Sequence, residues 1–296
     1  MITQVQRLKH VIGHAVSGRI AMSIVCPTYI QNEISESKRL VFFGDSWVRG
    51  DGLQDLNIIH KRSPKSFANS LRKKLGTEYL NFACSGAGND EISRSVFHFA
   101  SNTKRYWHDK HLDDTLLNQE YNRSNDFLII HWSLADRNFF KLDGDGTKSV
   151  ENWLSCNANI AIDDKASRNR ILHVLANTDY QEALARTMYN VIYTAAFLRS
   201  INAKFVMMTS LWPHNQNGKT EKNTIYGGAY KTLEPLSNAV SNDERFINDL
   251  CFDNIVANNN WGRTPCWHPD KLSHFKYAEM LFDWFKGKEI ELEINS

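Results

Sequence analysis

Three short stretches of this chain carry residue types that could attack a carbonyl and move a proton. In LVFFGDSWVRGDGL, residues 40–53, four apolar residues run into Gly44-Asp45-Ser46, and a glycine-punctuated loop follows. SGAGN, residues 85–89, sets two glycines before an asparagine, and CWHPDKLSH, residues 266–274, sets His268 before a proline that fixes the local turn. A serine hydroxyl is a poor nucleophile until a base takes its proton, and His268 is the candidate base. The glycines at 86 and 88 let backbone N–H groups approach a ligand closely, and a helix starting there adds a positive dipole end. Backbone N–H groups at such turns, aimed at a developing oxyanion, would each contribute about 3 kcal/mol. The chemistry these residues spell is acyl transfer. Taken singly each stretch is ordinary, because Gly, Asp and Ser dominate turns and most histidines are packed or solvated.

Other motifs fail on their spacing. Gly218-Lys219-Thr220 resembles the end of a phosphate loop, but the earlier glycine it requires falls on Pro213. DGDGTKS, from Asp143, resembles a calcium loop but has Lys148 and Leu154 where glycine and glutamate belong. No G-x-S-x-G elbow occurs. Cys266, His268 and His274 match no standard zinc spacing. No metal and no cofactor is expected.

The elements that must position the three stretches follow from hydrophobic periodicity. RLVFF (39–43), EYLNF (78–82), DFLIIHW (126–132) and AKFVMMT (203–209) read as strands, their continuous apolar runs suiting a parallel sheet covered on both faces. Between them lie helical patterns. One starts at Ser63 with Pro64 in its first position and stops at Gly76, and a second follows the glycines of CSGAGND. A long third helix runs from a Thr178/Gln181 capping box to about Ser200. A weaker helical region spans about 229–241, and HFKYAEMLFDWF forms a closing helix. Alternating strands and helices predict an α/β fold, a flavodoxin-like three-layer α/β/α sandwich with a central parallel sheet. In such sheets ligands bind beyond the carboxyl ends of the strands, where Ser46 and Gly86 fall. The organisation expected is an N-terminal arm (1–38), a domain over 39–286 with a polar insertion at about 141–177, and a short tail (287–296).

With 296 residues, 42% hydrophobic and 23% charged, the chain has an ordinary globular balance. A net charge of +2 gives no field that would suggest nucleic acid. Five scattered cysteines argue for a reducing compartment rather than a disulfide framework. The first 32 residues contain no acid, yet Arg19 and His14 interrupt VIGHAVSGRIAMSIVC, so neither a clear signal peptide nor a membrane span is expected. The arm is read as packed on the domain, with membrane contact as the alternative. No oligomeric state can be read from the residues.

In their order, the three stretches resemble the GDSL-type, or SGNH, hydrolase superfamily. FFGDSWVRGDGL matches its first block, NFACSGAGNDEISR is similar to its second, and HPDKLSHFKYAEML resembles a form of the last in which His-Pro precedes a second histidine and a closing helix. IIHWSLADRNFF resembles a third-block variant of phage and environmental members. The resemblance implies the SGNH hydrolase fold over roughly 39–286, Ser46 as nucleophile, His268 as base, and a Gly86 N–H in the oxyanion hole. It also implies a carboxylic ester substrate, with O-acetyl groups on a carbohydrate preferred, and a cytoplasmic or virion-associated setting. Two positions depart from the family. Ala135 falls where an oxyanion-hole asparagine is usual, so Asn89 is the substitute candidate, against a plain helix-start role. Pro265 falls where the histidine's aspartate is usual, leaving Asp270, Asp253, a backbone carbonyl or nothing to orient His268. Trp47, Trp132 and Trp267 each neighbour one of these motif blocks, and with Arg137, in the third-block variant, they are candidate substrate contacts. The rival readings are a catalytically decayed binding or structural protein on the same fold, and a lipid or thioester acyl hydrolase or transferase.

Overall fold

The computed structural model describes residues 19–53, 63–103, 116, 118–133, 138–141, 153–156, 180–210, 225–265 and 268–295. Its centre is a four-stranded parallel sheet of β2 (Arg39–Phe43), β3 (Glu78–Asn81), β4 (Asp126–Trp132) and β7 (Lys204–Thr209), in the order β3-β2-β4-β7. The chain moves from β2 to β3 on one side, then crosses back to β4 on the other. That reversal places the topological switch point at the carboxyl end of β2. A parallel bridge between Met207 and Phe246 starts a fifth position beyond β7, so the order is the flavodoxin-like one.

Period-two alternation decides which side chains each face receives. Val41, Phe43, Leu128, Ile130, Trp132, Phe205 and Met207 face α4 (Asn89–Ala100), α5 (Tyr180–Ser200) and α6 (Ile225–Ser241). Leu40, Phe42, Phe127, Ile129, Val206 and Met208 face α1 (Thr28–Glu36), α3 (Phe67–Leu75), α7 (Phe252–Asn258) and α8 (Lys271–Phe285). The expected three-layer α/β/α arrangement is therefore present. Phe67 is the hub of the second face, with the rings of Phe42, Phe252, His131 and Tyr277 between 5.0 and 6.1 Å away. Truncating so central a ring to alanine would cost about 3–5 kcal/mol.

Several local expectations shift by a few residues. The helix expected from Ser63 begins at Phe67, capped by Ser66 Oγ accepting the Asn69 N–H, while 63–66 form a turn. It ends on Gly76 at φ +69°, as the glycine stop requires. The weaker helical region begins earlier, at Ile225. Residues 28–36, within the arm, form α1, and Ile30 and Ile34 lie in the core. β1 (Arg19–Ile24) pairs antiparallel with β8 (Ile290–Asn295), so residues from the two ends of the chain share a small sheet. Within the region read as an insertion, Trp153–Cys156 (β6) pairs with Asn138–Lys141 (β5). The rest of 141–177 lies outside the described residues. No helix among the described residues is long and apolar enough to cross a membrane.

Candidate active site

The site begins with a strand that cannot continue. Gly44 follows β2 where a side chain has no room: a Cβ there would overlap the Val48 side chain and lie 3.2 Å from His131 Cβ. The backbone therefore turns tightly into α2 (Ser46–Arg49), a single helical turn. Asp45 caps it, its Oδ1 accepting the Trp47 N–H at 3.0 Å. Ser46, 4% exposed, is the first residue of that turn.

His268 reaches Ser46 from the other side of the chain's sequence. Its Nε2 lies 2.9 Å from Ser46 Oγ across 222 residues. The loop that carries it is set by backbone. The His268 carbonyl accepts from the N–H of Thr264 at 2.8 Å and from its Oγ1 at 3.2 Å, and Arg263 bridges Pro269. A serine hydroxyl and an imidazole nitrogen at this separation have the geometry of a nucleophile with its general base.

The second block lies beside the first because the strand register carries on past β3. The Phe82 N–H donates to Phe42 O at 2.8 Å and the Cys84 N–H to Gly44 O at 3.0 Å. Two residues further on each strand stand Ser46 and Gly86. Gly86 has φ +74°, a conformation that a β-carbon disfavours. Among the described residues, the N–H groups of Ser46 and Gly86 donate to no protein acceptor.

Five of the other expected site residues have different places. Asn89 is buried and its side chain is committed within the fold. Its Oδ1 accepts the Ser133 N–H at 2.7 Å, and its Nδ2 donates to Ser133 O at 3.1 Å and to Thr187 Oγ1 at 3.0 Å. With its amide protons so engaged, it is a brace rather than an oxyanion donor. Asp270 caps α8, its Oδ1 accepting from the N–H and the hydroxyl of Ser273, each at 2.8 Å. Asp253 pairs with Arg263 at 2.5 Å. The roles the structure shows for these two acids are thus a helix cap and an ion pair. Trp47 and Trp132 are 5% and 0% exposed. Trp47 packs edge-on against Phe252, so both tryptophans belong to the core and offer no face to a substrate. Trp267, Arg137 and Cys266 lie outside the described residues.

Two further histidines surround the pair. His274 is fully buried, stacked on Phe67, and its Nδ1 accepts the Phe67 N–H at 3.2 Å. That bond requires the neutral tautomer with its proton on Nε2. Burial, and then the nearby His268, push its pKa down to about 3, against a small opposing pull from Asp270. His131, on β4, is pushed down to about 3 by burial. Neither ring faces solvent, so neither is a second base. Among the described residues no group of three or more His, Cys, Asp or Glu could hold a metal ion.

No protein-family model matches the sequence, and no curated protein matches it. Solved structures similar to the chain include an acetyl xylan esterase from Butyrivibrio proteoclasticus, with 17% identity, a TM-score of 0.45, and coverage of 84% of this chain and 64% of that one. Another is a carbohydrate esterase family 2 enzyme with a carbohydrate binding domain from Corynascus thermopiles, at 14% identity, TM-score 0.44, and 84% and 65% coverage. A third is the psychrotrophic esterase EstA from Pseudoalteromonas, at 12% identity, TM-score 0.43, and 84% and 97% coverage. The chain spans less than two thirds of the length of the first two. At such low identities and scores, function rests on the site's own residues.

Proposed function

We propose that the protein is a serine ester hydrolase of the SGNH type. The observation that carries this reading is the 2.9 Å approach of His268 Nε2 to Ser46 Oγ at the switch point of the sheet. Ser46 Oγ attacks the ester carbonyl carbon as His268 Nε2 takes its proton. The carbonyl oxygen becomes an oxyanion, which the N–H groups of Ser46 and Gly86 receive. The tetrahedral intermediate then breaks its bond to the leaving alkoxide, and His268 returns the proton to give the alcohol. Water, deprotonated by the same imidazole, attacks the acyl-enzyme and releases the acid with Ser46 restored.

A serine activated by an imidazole suits an acyl carbonyl, and a carboxylic ester is the proposed substrate class. The finer proposal, O-acetyl groups on a carbohydrate, is carried by the resemblance of the three motif blocks, since the burial of Trp47 and Trp132 withdraws them as a sugar platform. The test compares p-nitrophenyl acetate, p-nitrophenyl octanoate and acetylated xylan as substrates of the wild type and Ser46→Ala. Turnover of the acetyl esters, lost in the variant, is expected. A preference for octanoate would replace the carbohydrate proposal with a lipid acyl hydrolase. No turnover of any ester by folded wild type would remove the hydrolase reading.

A further inference from the structure

The turn that carries Ser46 is held by a buried polar chain to which the mechanism above assigns no part. Asp45 is fully buried, and while its Oδ1 holds the Trp47 N–H, its Oδ2 accepts the Ser133 hydroxyl at 2.8 Å. Ser133, the residue after β4, is fully buried as well. Its backbone is gripped on both sides by the Asn89 carboxamide, which accepts its N–H and donates to its C=O as a neighbouring strand would. The Ser133 N–H can only donate, so it fixes which way the amide points. The remaining Asn89 proton goes to Thr187 Oγ1 on α5. Ser93 with Thr194, at 2.9 Å, and Asn190 with Asp90, at 2.6 Å, tie the same two helices further along.

The consequence falls on Ser46. It stands between Asp45 and Trp47, which are hydrogen-bonded to each other across it, so holding the Asp45 carboxylate holds the backbone from which Ser46 Oγ and N–H project. The geometry points to Ser133, seated by Asn89, as a positioning residue for the nucleophile. The inference rests on Ser46 being the nucleophile. Satisfied buried networks of this kind rigidify the groups they join, and small displacements of an attacking atom carry large rate penalties. Ser133 touches Asp45 rather than the reacting atoms, so its effect must pass through that carboxylate.

The experiment uses full-length wild type, Ser133→Ala, Ser133→Thr and Asp45→Asn. It reads kcat and KM for p-nitrophenyl acetate, the rate of phosphonylation by a fluorophosphonate, and Tm. Ser133→Ala is expected to lower kcat roughly 100-fold while KM stays within about threefold, with phosphonylation slowed in parallel. Ser133→Thr keeps the hydroxyl and is expected to recover most of the rate. A fall in Tm with kcat unchanged in Ser133→Ala would make the chain purely structural and overturn the inference. Failure of Ser133→Thr to exceed Ser133→Ala would also overturn it. Should Ser133→Ala not fold, Asp45→Asn gives the same reading, because it keeps the shape and weakens the acceptor. A reduced kcat at unchanged KM supports the inference there and an unchanged kcat overturns it. Wild type that neither turns over nor takes label refutes the hydrolase reading itself, and this inference with it, before any variant is compared.

Discussion

The two ends of strands β2 and β4 carry polar residues of similar number and opposite use. At the amino end, Asp126 is fully buried and meets the Arg39 guanidinium through two bonds, Nε to Oδ1 at 2.7 Å and Nη2 to Oδ2 at 2.8 Å. Arg39 also donates to Gln119 and to the Glu120 carbonyl, and Asp126 accepts the Asn122 N–H. These groups satisfy one another and fix the register in which Arg39 lies opposite Asp126. At the carboxyl end, Asp45 is just as buried, and Ser133 O–H and Trp47 N–H donate to it. Beside it the N–H groups of Ser46 and Gly86 have no protein acceptor among the described residues. One end spends its polar groups on the fold, and the other leaves two backbone donors without an acceptor among the described residues.

That contrast can be broken from either side. Ser46→Ala is expected to lower ester turnover on the order of ten-thousand-fold or more, with Tm little changed. A variant that keeps a tenth of wild-type kcat would contradict the assignment of the nucleophile. Arg39→Met should do the reverse. It strands a buried carboxylate and is expected to cost about 3–5 kcal/mol in urea unfolding, while kcat per folded molecule stays the same. Equal stability to wild type would show that the amino-end pair adds nothing.

Acid sharpens the comparison further. In the unfolded chain His131 and His274 take a proton near pH 6.5, whereas in the folded protein burial keeps both neutral down to about pH 3. Between those values the unfolded state binds more protons, so stability is lost as pH falls from 6.5 toward 3. At pH 5 the loss is about 2 kcal/mol per ring. The urea midpoint should drop between pH 7 and pH 5, and drop less in His131→Leu. An identical pH dependence in that variant would contradict a neutral buried imidazole there. The smallest effect is expected of Asp270→Ala, which removes the cap of α8 and costs about 1 kcal/mol. If its kcat fell far more than its stability, Asp270 would have to act on His268 after all.

Much of this architecture was legible because its signals are local. RLVFF, DFLIIHW and KFVMMT are apolar on both faces, as central parallel strands must be, and Gly76 ends its helix by the left-handed conformation it alone adopts easily. The meeting of Ser46 and His268 was suggested by their chemistry and sharpened by motif resemblance, since nothing local joins residues 222 apart. Asn89 shows where sequence signals stop. An asparagine at a helix start has a local explanation, and its actual partners, Ser133 and Thr187, are 44 and 98 positions away. The Trp47 and Trp132 side chains mislead for a related reason, because a tryptophan beside a site stretch looks the same whether its ring faces out or in. Asp270, by contrast, stands directly before an apolar-periodic helix, and that position is itself a capping signal. The pairing of β1 with β8 left no mark in either segment, because strand partners at the two ends of a chain are chosen by the assembled core.

The central claim is that His268 activates Ser46, and covalent labelling tests it most directly. Wild type, Ser46→Ala and His268→Ala are treated with a fluorophosphonate and read by intact mass. One adduct on wild type, mapped to Ser46 and lost in both variants, is the predicted result. Folded wild type that takes no label, or a label that persists in Ser46→Ala, would contradict it.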